Sequence, residues 1–220
     1  MNEIAVLCRD VYYKKLIEFK YPNCIIIEEE NDFAVSIKDG VEVIVSIRGS
    51  DDFEDWLDNL SFTSKKTKFG HIHSGMFDAY MEIRDSLVDA VTRTPFLRKL
   101  TICGHSKGGA MAQIFAVDIR GFLSCEIECI TFASPRVGKS DFVKITKDST
   151  VSFKRFTNRG DIVPFAIPWS FGYRHIGSPI KIGSMFKWGW GWSWRLLKRT
   201  KDIAKNHAME TYIKFLSDRT

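Results

Sequence analysis

The chain has 220 residues, 45% of them apolar and 13% aromatic, enough to build a sizeable core and too apolar for a disordered chain. Its formal net charge of +5 is a mild excess, and without an arginine-rich arm, zinc-ligand spacing or a ribonucleoprotein signature it gives no reason to expect a nucleic-acid partner. No apolar run reaches the ~18 residues a membrane span needs, and MNEIAVLCRDVYYKK lacks the basic start and long apolar run of a signal peptide, so a cytoplasmic location is expected.

The first periodic signal is CIIIEEENDFAVSIKDGVEVIVSIRGS. It reads as strands at Cys24 to Glu28, Asp32 to Ile37 and Val41 to Ile47, with a hairpin turn at Lys38 to Gly40. DDFEDWLDNL follows, with acids in its first turn and Phe53, Trp56, Leu57 and Leu60 at helical spacing, so a short amphipathic helix is expected. His71 and His73 stand in GHIHSG without a third ligand nearby, and a structural or surface role is expected rather than a metal. SGMFDAYMEIRDSLVDAV carries Met76, Phe77, Tyr80, Ile83, Leu87, Val88 and Val91 on one helical face, with Ser74 as its N-cap.

LRKLTICGH then reads as a strand and Lys107 to Ile119 as a helix, with Met111, Ile114, Phe115 and Ile119 on one face. CEIECITFAS and VSFKRFTN are two further strands. Cys125, Ile127 and Cys129 share one strand face, which suits core packing; the odd total of five cysteines reads as reduced, mostly buried thiols. Beyond Asn158 the chain is loop-rich until a last helix over roughly His207 to Leu216. Strands alternating with helices indicate an α/β protein with a mainly parallel sheet covered on both faces. No repeat or linker interrupts it, so residues 1–220 are expected to form one domain.

Between the strand LRKLTICGH and its helix, Gly104, His105, Ser106 and Gly108 make up the pattern G-x-S-x-G. A strand that turns sharply into a helix holds one side chain up in a strained, exposed position, and small residues two before and two after let backbone pass close to backbone. Ser106 is thus a candidate nucleophile, which needs a base and an orienting carboxylate. Asp161, in RGDIVP after a strand, is either a turn aspartate or that orienter. His175 and His207 both follow it, and chain order alone does not choose between them as the base.

Several segments, in order, resemble the class 3 lipases of the α/β-hydrolase fold: VIVSIRGSDDFEDWLDNL, HSGMFDAY, GHSKGG, FASPRVG, TNRGDIVPFAIP, YRHIG and NHAMETYI, together covering about Val41 to Ile213. The resemblance implies a Ser106–His207–Asp161 triad, with the catalytic histidine on the last loop and His175 non-catalytic. It implies oxyanion donors at Lys107, through its backbone N–H, and at Ser50. Lys107 stands where many family members carry an apolar residue. The helix around Trp56 is implied as a lid, and no cofactor or metal is called for. The expected activity is hydrolysis of lipid acyl esters.

Trp188, Trp190, Trp192 and Trp194 alternate in MFKWGWGWSWRLLKRTK beside Lys187, Arg195, Lys198 and Arg199. Rings interleaved with cations suit a lipid–water interface as well as they suit a cover over the acyl pocket. The expected partner is therefore a lipid or ester substrate, with transient contact to a lipid surface; the oligomeric state is left open. The rival readings are an open small-ester esterase or thioesterase, and a non-catalytic membrane-surface protein on a hydrolase scaffold.

Overall fold

The computed structural model describes residues 1–29, 32–50, 61–183 and 204–218. The expected helix at 51–60 with Trp56, and the segment holding Trp188, Trp190, Trp192 and Trp194, lie outside the described residues. The α/β-hydrolase expectation holds: a seven-stranded sheet runs in the order β1 (Ile25–Glu29), β2 (Asp32–Asp39), β3 (Glu42–Ile47), β6 (Lys99–His105), β7 (Glu126–Phe132), β9 (Ser152–Asn158) and β11 (Pro179–Ile182). The first three strands pair antiparallel, and β3 through β11 pair parallel. A smaller antiparallel sheet joins β10 (Tyr173–Arg174), β8 (Gly138–Lys139), β5 (Gly70–His73) and β4 (Ser64–Thr67).

Alternation along the central strands sends successive side chains to opposite faces, and each face is covered. Leu100, Ile102, Ile127 and Cys129 pack with α3 (Ser74–Thr92) and α4 (Lys107–Ile119), while Cys125 lies half-buried against them. Cys103, Ile130, Phe132 and Phe156 pack on the other face with α1 (Asn2–Asp10) and α6 (Met209–Ser217). Helix α2 (Lys14–Lys20) adds Ile17 to that second layer, and α5 (Ser140–Asp148) adds Phe142 to the first. A buried polar tie joins the helices of the first face: Asp118 on α4 accepts from Tyr80 (2.7 Å) and Arg84 (2.5 Å) of α3, and from Lys68 (3.0 Å).

Several local expectations shift. The cap of α3 is His73 rather than Ser74, because the His73 ring accepts the Met76 N–H (3.4 Å) and Ser74 is already inside the first turn. His73 also donates through Nε2 to the Ser61 carbonyl (2.5 Å), and His71 pairs through Nδ1 with Asp141 (2.6 Å), so both histidines tie loops together. The last helix begins at Met209, and His207 lies at the end of a separate helical turn at 204–207, one residue before the cap at Ala208.

Candidate active site

The site is built at the carboxyl ends of the parallel strands, where loops leave the sheet and side chains from separate segments converge. β6 ends at His105, and Ser106 follows with φ 56° and ψ −126°, a left-handed, strained conformation for a serine, directly before the first residue of α4. The glycines make that turn sterically possible. A Cβ on Gly104 would overlap the Gly108 carbonyl, and one on Gly108 would lie 2.6 Å from the Arg48 carbonyl carbon. The elbow is pinned by the Ser106 N–H, which donates to Phe132 O (3.0 Å), and by the Ala110 N–H, which donates to Ser106 O (3.2 Å). Ser106 is 3% exposed, and its Oγ has no hydrogen-bond partner among the described residues.

The turn after β3 lies against the elbow. A Cβ on Gly49 would come 3.2 Å from Ser106 Cβ, so the backbone leading to Ser50 passes beside the serine. Lys107 is the first residue of α4 and directly follows Ser106, so its backbone N–H belongs to the positive end of that helix. Ser50 follows Gly49 and Lys107 follows Ser106, so both residues adjoin the elbow in the backbone.

Asp161 lies in the loop after β9 and is 2% exposed. Its Oδ2 accepts from His207 Nδ1 (3.0 Å) and from the Tyr212 hydroxyl (2.8 Å), and its Oδ1 accepts from the Val163 N–H (2.9 Å). Three donors on one buried carboxylate fix its orientation toward His207. Tyr212 also accepts the Asn158 N–H (2.9 Å), and Asn158 Nδ2 donates to Asn206 O (2.9 Å), joining the end of β9 both to α6 and to the helical turn that carries His207. Burial and the adjacent carboxylate push the Tyr212 hydroxyl well above its ordinary pKa, so it remains a donor.

His207, 4% exposed, is the histidine brought to the elbow. Its ring stacks on that of His105 at 4.4 Å between centroids, and its carbonyl lies 2.8 Å from His105 Nε2. With Nδ1 committed to Asp161, Nε2 is the ring atom left for proton transfer. His175 is elsewhere: it bonds to the Pro164 backbone and faces Phe165 edge-on, and burial together with Arg155 and Arg136 pushes its pKa down to about 3. It stays neutral and makes no contact with Asp161.

His105 does more than fill the variable position of the elbow. Nε2 faces a carbonyl and must carry the proton, so Nδ1 is the acceptor, and it takes the Tyr12 hydroxyl (2.9 Å). Burial and the proximity of His207 hold its pKa well below the ordinary value. A cleft of about 370 Å³ opens here, lined by Tyr12, Ser50, His105, His207 and Glu210 among others. Tyr12 and Tyr212 carry no sequence pattern that marks them; the spacing of Tyr212, five residues after His207 on an apolar helix face, reads only as core. Among the described residues no cluster of three His, Cys, Asp or Glu could hold a metal ion, and no helix is long and apolar enough to cross a membrane.

Comparison with known proteins bears on the family and the fold. The family model "Lipase (class 3)" matches residues 44–171, more than half of the chain. A secreted mono- and diacylglycerol lipase of Fusarium solani is 34% identical over 143 residues, covering 61% of this chain and 42% of the relative. Phospholipase A1-IIgamma of Arabidopsis thaliana is 28% identical over 207 residues, covering 78% and 47%. The chain spans less than half the length of these curated relatives. Among solved structures, the Rhizomucor miehei lipase–propeptide complex superposes with a TM-score of 0.70 at 25% identity, over 81% of this chain and 66% of that one. A triacylglycerol lipase described as having a serine protease triad at its catalytic centre superposes with a TM-score of 0.72 at 25% identity, over 83% and 80%. The expected cytoplasmic location is overturned by the relatives of Fusarium solani and Penicillium camembertii, which are named as secreted.

Proposed function

Because the chain belongs to the class 3 lipase family, we propose that it is a carboxylic ester hydrolase that cleaves acyl esters of lipids, with residues 1–220 working as one hydrolase domain. The observation that carries the reading is the buried Asp161–His207 pair, 3.0 Å apart, docked on the His105 ring beside a serine held at φ 56°. In this reading Ser106 Oγ attacks the ester carbonyl carbon as His207 Nε2 takes its proton. Asp161 keeps the proton on Nδ1 and stabilises the imidazolium. The Lys107 and Ser50 backbone N–H groups receive the oxyanion. Collapse of the tetrahedral species breaks the ester C–O bond, and the alcohol leaves with the proton from His207. Water, deprotonated by the same nitrogen, then splits the acyl-enzyme to the acid and restores Ser106. The residues alone balance these steps, and the substrate side is a lipid ester met at a lipid surface.

Hydrolysis of a chromogenic butyrate ester by wild type and by Ser106→Ala tests the assignment. The variant is expected to lose about 10³- to 10⁶-fold in kcat. Equal hydrolysis by both would remove Ser106 from the mechanism. An acyl-chain ladder then separates a lipase from a small-ester esterase: rates that collapse beyond short chains would defeat the lipid reading.

A further inference from the structure

The loop that carries Asp161 begins a stretch of sequence with a composition unlike the rest of the chain. Between Asp161 and Asp202 the sequence has seven Lys and Arg and no Asp or Glu. Within the described part of this stretch, large apolar side chains face outward: Trp169 is 69% exposed, Phe165 62% and Phe171 52%. Trp169 and Phe171 share one short 3₁₀ turn, and Phe171 stacks at 4.8 Å on Phe62, itself partly exposed. Tyr173 anchors the two segments together by donating to Thr63 O (2.8 Å), so the aromatic group sits on a fixed frame.

Cations border these rings. Arg174, exposed, is held by donating to the Trp169 carbonyl (2.8 Å). Lys139 lies over the Tyr173 ring at 5.9 Å, and Arg136 lies over Phe165 at 5.7 Å. None of the three has a salt-bridge partner among the described residues. Exposed aromatic rings rimmed by unneutralised cations are matched by one kind of surface, in which an apolar layer lies just beneath a negatively charged one. A second copy of this chain would oppose cation to cation on the same patch, and a neutral apolar partner would leave the cations unanswered.

We propose that Phe62, Trp169 and Phe171, with Arg174 and Lys139 at their rim, form a docking surface for an anionic lipid bilayer, the rings entering the interface and the cations meeting its headgroup charge. The surface is distinct from the catalytic residues and stands independently of the hydrolase reading. It lies on the described loops and needs neither residues 51–60 nor the Trp188–Trp194 segment.

The test is co-sedimentation of Ser106→Ala protein, which leaves vesicles intact, with vesicles of phosphatidylcholine alone and of phosphatidylcholine mixed with phosphatidylglycerol. Binding is expected to be at least about tenfold tighter to the mixed vesicles and to weaken with added salt, each rim cation contributing about fivefold. Trp169→Ser/Phe171→Ser is expected to weaken binding to both vesicle types by tenfold or more. Arg174→Gln should reduce only the preference for anionic vesicles. In a Ser106 background, the double variant should hydrolyse the soluble butyrate ester at the wild-type rate, which separates a docking defect from a catalytic one. Equal affinity for the two vesicle types, or full binding by the double variant, overturns the proposal. So does a concentration-dependent oligomer on gel filtration that the double variant abolishes, because the patch would then be a self-association face.

Discussion

Removing one hydroxyl from the N-terminal segment should slow catalysis without weakening substrate binding. Tyr12 lies two residues past α1 and reaches its partner through the space a side chain on Gly49 would fill. In Tyr12→Phe the ring remains and the bond to His105 Nδ1 is lost. His105 is 5% exposed, so that nitrogen becomes a buried acceptor without a donor, at a cost of about 1–2 kcal/mol in stability. The imidazole can escape the cost only by moving its proton to Nδ1, which turns a bare Nε2 toward the His207 carbonyl and repels it. Either way the ring stacked under His207 at 4.4 Å loses its fixed orientation. Misplacement of a base by a fraction of an ångström lowers kcat by about tenfold. KM for a soluble ester, which reports ground-state binding, should stay within about twofold. His105→Leu removes both bonds and should cost about a hundredfold in kcat. The double variant should be no worse than His105→Leu alone, because Tyr12 acts through His105. Steady-state kinetics on a soluble ester, with urea unfolding of the same samples, supplies all the numbers. A Tyr12→Phe enzyme that is less stable but has wild-type kcat, or a double variant whose losses simply multiply, would refute the claim that the N-terminal segment positions the base.

Other consequences can be checked on the same preparation. Asp161→Asn should lower kcat by about 10⁴-fold with little change in fold, since the amide favours the wrong tautomer of His207; retention of more than a tenth of the activity would argue against the orienting role. Gly108→Ala should give little folded protein, because the new Cβ meets the Ile47 and Arg48 backbone, and soluble, active variant protein would contradict the elbow packing. Acid should destabilise the fold in two windows. His105 and His175 have depressed pKa values, so the unfolded chain takes up their protons first, and stability present above about pH 6.5 is lost on acidification below it. Asp118, held below its ordinary range by Arg84, Tyr80 and Lys68 despite the opposing effect of burial, contributes stability that is present above about pH 4 and lost as pH falls through its depressed folded value. Urea midpoints against pH for wild type and Asp118→Asn check this: the variant should be about 3 kcal/mol less stable near neutrality and should lose the lower window.

The parts of the fold legible in the sequence are those fixed by local pattern. β6, the elbow and α4 are read almost to the residue, because a short apolar run, two steric glycines and a 3.6-residue period fall next to one another in LRKLTICGHSKGGAMAQIFA. The hairpin at Lys38 to Gly40 is likewise local, with Gly40 at φ 58°. The N-terminal helices are not legible: α1 mixes Arg9 and Asp10 into its length, and its burial is settled only when α6, from the far end of the chain, packs beside it. The small second sheet has the same origin. Its two-residue strands at Gly138–Lys139 and Tyr173–Arg174 exist only as pairings across 35 residues, and no window of sequence contains both.

The candidate site divides along the same line. Ser106 and its glycines are local. Asp161 and the choice of His207 over His175 rest in the sequence on resemblance, because spacing along a loop-rich stretch does not say which histidine returns to the sheet. The physical reason is the set of ties between the end of β9 and the segment that carries His207. Asn158 donates to Asn206 O, and Tyr212 bridges Asn158 N–H and Asp161 Oδ2, so the end of β9 and the start of α6 close as one unit with His207 between them. His175 belongs to a different unit, facing Phe165 edge-on, where burial first and then Arg155 and Arg136 lower its pKa. A base must gain and lose a proton near its working pH. The depressed pKa of His175, about 3, adds to a difference the geometry already makes, since it is His207 that Asp161 holds.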